Sequence, residues 1–222
     1  MVTLWQRLAI VLLLLVCLVL GVVTAIQGVH SEAVVLVAGK RLPAVQSVPE
    51  LSLETHKGDL LSHSIWAGRW SLVFFGFGSC PDYCPLELQK LAGLMRRAGD
   101  PEQLQILFVT VDPERDTRDK LAAYVGFFHP HILGVRGPNS ELARLASFFG
   151  ASYERSVIID KRLLSVPAGI DMPENAGPAY QVNHSNQLFM VNPRGEFVAY
   201  FSPPYEPDLL WQDIQNLMAH AR

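Results

Sequence analysis

Apolar residues fall along the chain in runs of distinct character. The first, "LAIVLLLLVCLVLGVVTAI" (8–26), carries no charge. As a helix rising about 1.5 Å per residue, it is long enough to cross the hydrocarbon core of a bilayer. Later runs are shorter. "WSLVFFGF" (70–77) and "LQILFVTV" (104–111) read as buried central strands. "HILGVRG" reads as a short strand and turn. "NQLFMVN" (186–192) and "EFVAYFS" (196–202) read as strands joined at Pro193-Arg194-Gly195 in a hairpin-like turn. The alternation in "LSLETHKGDL" predicts a strand near 51–54, and "AVVLVAG" (33–39) offers another short one. In "PLELQKLAGLMRRAG", Leu86, Leu88, Leu91, Leu94 and Met95 recur at near-helical spacing; Pro85 suits a first helical position and Gly99 a stop. "DTRDKLAAYVGFF" (116–128), "NSELARLASFFG" (139–150) and "EPDLLWQDIQNLMAHA" read as further helices. Residues 161–183 read as loop.

Strands alternating with helices imply parallel crossovers, and the terminal hairpin and helix add antiparallel strands. This β-α-β-α then β-β-α order is that of a thioredoxin-like α/β fold with inserts. The expected organisation is a membrane anchor over 1–26, a tether over 27–48 and the folded domain over 49–222.

Arg7 before the apolar run favours an N-terminus inside and the remainder exported, with Trp5 as an interfacial anchor. A cleaved signal peptide ending near Val23-Thr24-Ala25 is the alternative; the length of the run favours an uncleaved anchor. Cys17 lies mid-span and reads as membrane packing. The whole chain has 18 Lys+Arg and 21 Asp+Glu, so without Arg7 the exported part carries −4. That argues against non-specific nucleic-acid binding.

The exported part has two cysteines, Cys80 and Cys84, in "GFGSCPDYCP" (76–85). In an oxidising compartment such a pair means a disulfide or a metal site. Pro85 lacks an N–H, so the main helix is expected to start at Pro85, with Cys84 near its N-cap, where a thiolate is stabilised. Soft thiolates suit Cu(I), with zinc as competitor, and two of them leave a coordination position for an imidazole. Of seven histidines, His184 in "YQVNHSNQLFMVN" is the best placed, just before a buried strand. His30 lies in the tether, His56 and His63 near a turn, His129 and His131 around Pro130, and His220 near the C-terminus.

"FFGFGSCPDYCP", "VDPERDT" and "NHSNQLFMVNPRGEF" occur in the order and at about the spacing found in the Sco/SenC family of copper chaperones. The resemblance covers roughly residues 45–215. It implies a thioredoxin-like domain tethered to the membrane that binds copper, as Cu(I), Cu(II) or both. It further implies that the protein helps assemble the copper centre of cytochrome c oxidase. Cys80, Cys84 and His184 match the family's ligands, and Cys80 and Cys84 its redox disulfide. The implied partners are the oxidase's copper-binding subunit and other copper chaperones or thiol reductants. Three departures stand out: Asn183 replaces an acid that could orient the histidine, Ser79 stands where histidine is frequent, and Asn192 opens the Asn192-Pro193-Arg194-Gly195 turn.

"VDPERDT" also has a purely structural reading: Asp112-Pro113 turns the chain and Asp116 or Thr117 caps the next helix. Met190 belongs to a strand; Met172, in the long loop, is a lesser copper or partner candidate. Phe74, Phe75, Phe127, Phe128, Phe148 and Phe149 are expected in the core. Asp82 and Tyr83 are expected to line the site and meet the partner. The expected function is metallochaperone rather than enzyme. A thiol-disulfide oxidoreductase that reduces the oxidase subunit is the alternative. A peroxidase is disfavoured because Phe77 stands where a threonine precedes the reactive cysteine.

Overall fold

The computed structural model describes residues 4–29, 35–99 and 102–220. The chain divides into a unit ending at Val35 and a second from Leu36 onward. The first holds helix α1 (Leu4–Val29), whose Leu4–Gly21 segment is long and apolar enough to cross a membrane. Cys17 is exposed on it.

The second unit begins earlier than the sequence predicts. Strand β1 (Gly39–Ser47) already belongs to the sheet, so the tether expected over 27–48 overlaps the fold. His30 lies outside the described residues. What captures this segment is Asp213, whose buried carboxylate accepts the backbone N–H groups of Val37, Ala38 and Gly39 at 2.9, 2.7 and 3.0 Å. The strand expected at 33–39 is displaced accordingly.

The main sheet is completed by β2 (Glu54–Thr55), β3 (Trp70–Gly76), β4 (Leu104–Thr110), β5 (Ile132–Arg136), β9 (Leu188–Val191) and β10 (Glu196–Phe201). Its order is β1-β10-β9-β3-β4-β5-β2. β3, β4 and β5 run parallel, and β9 pairs antiparallel with β3. Every residue of β3 and β4 is buried, which explains why their sequences are apolar apart from Ser71, Gln105 and Thr110, whose side chains are hydrogen-bonded. The second unit also holds helices α2 (His63–Trp66), α3 (Tyr83–Ala98), α4 (Arg118–Phe128), α5 (Asn139–Phe149) and α6 (Pro207–Ala219) and a short 3-10 turn at Glu174–Ala176. The fold is the expected thioredoxin-like α/β arrangement. Rings of Phe75, Phe149, Phe189 and Phe197 pack at 5.0–6.1 Å between centroids. Phe127 is the exception among the expected core aromatics, at 85% exposed. Leu121 and Val125 mark the buried face of α4, and two residues beyond Val125 a helix points away from it.

A second sheet, β7-β6-β8, falls largely in the stretch 161–183 that the sequence suggests is loop: β7 (Arg162–Pro167) and β8 (Gln181–His184) form there, paired with β6 (Tyr153–Ile159), for which the sequence pattern predicts no element. The β6–β7 turn uses Asp160 and Lys161 at φ 50° and 62°, left-handed positions filled without glycine, which hides the hairpin from inspection.

Candidate metal centre

The site is built where β3 ends. The chain leaves the sheet at Gly76, loops through Ser79 and enters α3. The helix begins at Tyr83 rather than Pro85, with Asp82 at the N-cap. Pro85 therefore sits within the first turn, where a missing N–H sacrifices no intrahelical bond. Cys84 lies inside the helix and joins Leu88, Leu91, Ala92 and Met95 in its buried stripe. Cys80 lies one turn back, half-buried, and its Sγ accepts the Cys84 N–H at 3.5 Å.

Two contacts fix the loop. Cys80 N–H donates to Phe77 O at 3.2 Å. Gly78 N–H donates to Asp116 Oδ2 at 2.9 Å, and Thr110 Oγ1 donates to the same oxygen at 2.5 Å. Asp116 thus faces the cysteine loop, while Thr117 caps α4 by accepting Lys120 N–H. Burial raises the Asp116 carboxyl despite these two donors.

β8 delivers His184 from the other side, and its Nε2 lies 3.4 Å from Cys84 Sγ. Nδ1–H donates to Ser185 O at 2.9 Å, leaving Nε2 as an acceptor aimed at the sulfurs. The rings of Phe74 and Phe77 meet the imidazole edge-on at 6.2 and 5.8 Å. Burial lowers the His184 pKa against the Ser185 hydrogen bond, so the ring is neutral at pH 7. Burial raises the Cys84 thiol, and nearby Cys80 and Asp116 push the same way. The expected helix-terminal stabilisation of a Cys84 thiolate is thus outweighed: without a metal, this sulfur is a thiol that can donate to Nε2.

Cys80, Cys84 and His184 bring one donor atom each within 4.8 Å of one another, a grouping that could hold a metal ion. Both cysteines are unbonded. Two sulfurs and a neutral imidazole make a soft donor set, suited to Cu(I) more than to a closed four-ligand zinc site. The other described histidines lie elsewhere: His56 Nδ1 accepts Gly134 N–H at 2.9 Å, and the rings of His129 and His131 neighbour each other, tilted at 43°. Tyr83 lines the site, its hydroxyl donating to Asn186 O at 3.4 Å, whereas Asp82 is exposed. Met190 is core, and Met172 is tied by its backbone N–H to Glu114.

The SCO1/SenC profile matches residues 40–219. The chain belongs to the SCO1/SenC family. It is 33% identical to the mitochondrial SCO2 homologue of Bos taurus over 78% of this chain and 60% of that protein. It is 31% identical to a Stutzerimonas stutzeri protein described as copper-binding, over 82% of this chain and 81% of that one. Yeast Sco1 crystallised with copper bound superposes with a TM-score of 0.61 at 29% identity, covering 77% of this chain and 87% of that one. The SCO1/SenC match thus spans under two thirds of the mammalian SCO2 homologues.

The departures from the family pattern acquire physical meaning in this frame. Asn183 is exposed and cannot share the inward face of His184 on the same strand; Ser185 O orients the imidazole instead. Asn192 Oδ1 accepts the N–H groups of Arg194 and Glu196 at 2.9 and 3.0 Å, so an amide makes the turn as a carboxylate would. Sequence reasoning missed Gly76 as a neighbour of the site, and it read "VDPERDT", which carries Asp116 and Arg115, mainly as a turn and cap that could also border the site. The signal for Asp116 and Arg115 was that stretch itself, four charges in a short turn after a buried strand.

Proposed function

We propose that this SCO1/SenC chain is a membrane-tethered copper chaperone. It binds one copper ion through Cys80, Cys84 and His184 and assists metallation of the copper centre of cytochrome c oxidase. The observation that carries the reading is the gathering of these three donors within 4.8 Å in a chain of this family. Copper entry releases the two thiol protons; Nε2 is already free of one. α1 serves as an anchor that keeps the folded unit on the exported side, as the lone N-terminal Arg7 favours.

The test is anaerobic Cu(I) titration of the reduced full chain in detergent, with C80S, C84S and H184A alongside. One tight copper per chain, lost in each variant, is expected. Unchanged affinity in H184A refutes the ligand assignment. Protease protection in sealed vesicles checks the orientation.

A second reading rests on the free, half-exposed sulfur of Cys80. As a thiol-disulfide oxidoreductase, Cys80 thiolate attacks a partner disulfide and Cys84 resolves the mixed disulfide. The protein ends with a Cys80–Cys84 disulfide and the partner with two thiols. Weak copper binding together with fast, His184-independent cycling would favour it.

A further inference from the structure

The turn between β4 and α4 touches the two chain segments that lead to the donor set. Asp116 holds the cysteine loop through Gly78. The three residues Asp112, Glu114 and Arg115 hold the segment leading into β8. Glu114 accepts Met172 N–H at 3.0 Å. Arg115 donates through one nitrogen to Pro178 O at 3.3 Å and Tyr180 O at 3.2 Å. Asp112 accepts from Arg115 Nε and from the Tyr180 hydroxyl. The guanidinium lies 3.9 Å from the centre of the Tyr180 ring and 5.8 Å from that of Phe77. Phe77 in turn meets the His184 imidazole at 5.8 Å, nearly perpendicular.

We infer that Arg115 is the positioning residue that sets His184 against the dithiol. It acts by two routes. Through the backbone it pins Tyr180, four residues before His184, at the entrance to β8. Through its side chain it backs Phe77, whose ring borders the imidazole. The strand that bears His184 pairs with β6 in the small sheet, not with the main sheet whose β3 leads into the cysteine loop. Its place relative to the sulfurs is set by the short link through residues 185–187 to β9, which pairs with β3, and by such bridges. A planar, forked cation suits this work: it bonds two carbonyls and a carboxylate while stacking on a ring, which an ammonium cannot do.

The inference rests on the three-donor copper reading, and the experiment separates the two. Wild type, H184A, R115A, R115K and R115A/H184A full chains are compared by Cu(I) competition against bicinchoninate. They are also compared by the imidazole-nitrogen splitting in the electron paramagnetic resonance of their Cu(II) forms. R115A is expected to weaken Cu(I) binding roughly 10- to 100-fold, the range for groups that orient a ligand, and to lose or broaden the nitrogen splitting. R115A/H184A is expected to bind no more weakly than H184A, because Arg115 acts through the histidine. R115K is expected to lose affinity like R115A and carries the test if R115A fails to fold. Wild-type affinity and splitting in R115A or R115K, or losses that add to those of H184A, overturn the assignment. If H184A itself binds as wild type, the three-donor reading fails and this inference falls with it. If H184A is weak and R115A and R115K are not, the Arg115 assignment alone fails.

Discussion

Gly76 is the position at which a single added methyl group tests the packing of the site. A Cβ built there would lie 2.8 Å from Cys84 Sγ and 2.6 Å from a ring carbon of Phe108. Comfortable contact needs about 3.5–4.0 Å, so the shortfall is about 1 Å on both sides. The backbone has little room to yield, because Gly76 pairs with Thr110 at the end of two fully buried parallel strands. Nor does alanine carry a dihedral penalty, since Gly76 is not among the residues at positive φ. The perturbation is therefore steric, and the sulfur or the ring must move. Overpacking of this kind costs about 1–3 kcal/mol. G76A should lose that much in urea unfolding. It should also bind copper roughly tenfold or more weakly, because Cys84 Sγ is pushed off the position that His184 Nε2 faces. In a C84A background the sulfur is gone, and the cost of G76A should shrink by a coupling of about 0.5 kcal/mol or more. Wild-type stability and copper affinity in G76A, or strict additivity with C84A, would refute the reasoning.

Other perturbations have equally definite outcomes. D213A leaves three backbone donors at the start of β1 without their acceptor; it should destabilise by about 3 kcal/mol or more in chemical denaturation, with D213N losing less. E114A strands Arg155, which is fully buried and paired with Glu114 at 2.7 Å; about 3 kcal/mol should be lost by the same assay. The folded His184 pKa is depressed from its ordinary 6.5, so the unfolded chain takes up the proton first and its contribution to stability fades as pH falls below about 6.5. The folded Cys84 pKa is raised from 9.0, so its contribution is intact below that value and fades as pH rises above it. Urea midpoints followed against pH in the apo protein should show both limbs, the acid limb flattened in H184A and the alkaline limb in C84A.

The elements that could be read in the sequence are those whose pattern is set by one physical cause. β3 and β4 are mostly apolar on both faces because both are covered, and α3 shows its stripe because only one face is. Cys84 falls on that stripe with Leu88, Leu91 and Met95, but a helix expected to start at Pro85 leaves it outside, so its burial went unread. The β6–β7 hairpin was not legible either, because its turn carries Asp160 and Lys161 instead of glycine and its strands alternate weakly. β1 was missed because its capture depends on Asp213, some 175 residues away. The three candidate donors were singled out by residue type and family motif, and the structure gathers them within 4.8 Å. What the sequence could not convey was that an aspartate and an arginine in one turn bridge the pieces that carry them.

That bridge bears on how one site could serve two chemistries. The sulfurs share one local segment, the end of β3 and the first turn of α3, so they can pair or open with little demand on the remainder of the fold. The imidazole arrives on β8, from the small sheet, and meets them through the Cys84 Sγ–His184 Nε2 contact, Tyr83 and the turn at 112–116. Dithiol exchange requires only the first piece; a three-donor site requires both. A perturbation confined to the histidine arm should therefore weaken metal binding while leaving the Cys80–Cys84 pair able to oxidise. One confined to the cysteine loop, as at Gly76, should impair both. Measuring copper affinity and dithiol oxidation side by side in H184A and G76A distinguishes the two pieces, and equal losses of both activities in the two variants would show that the site behaves as a single unit.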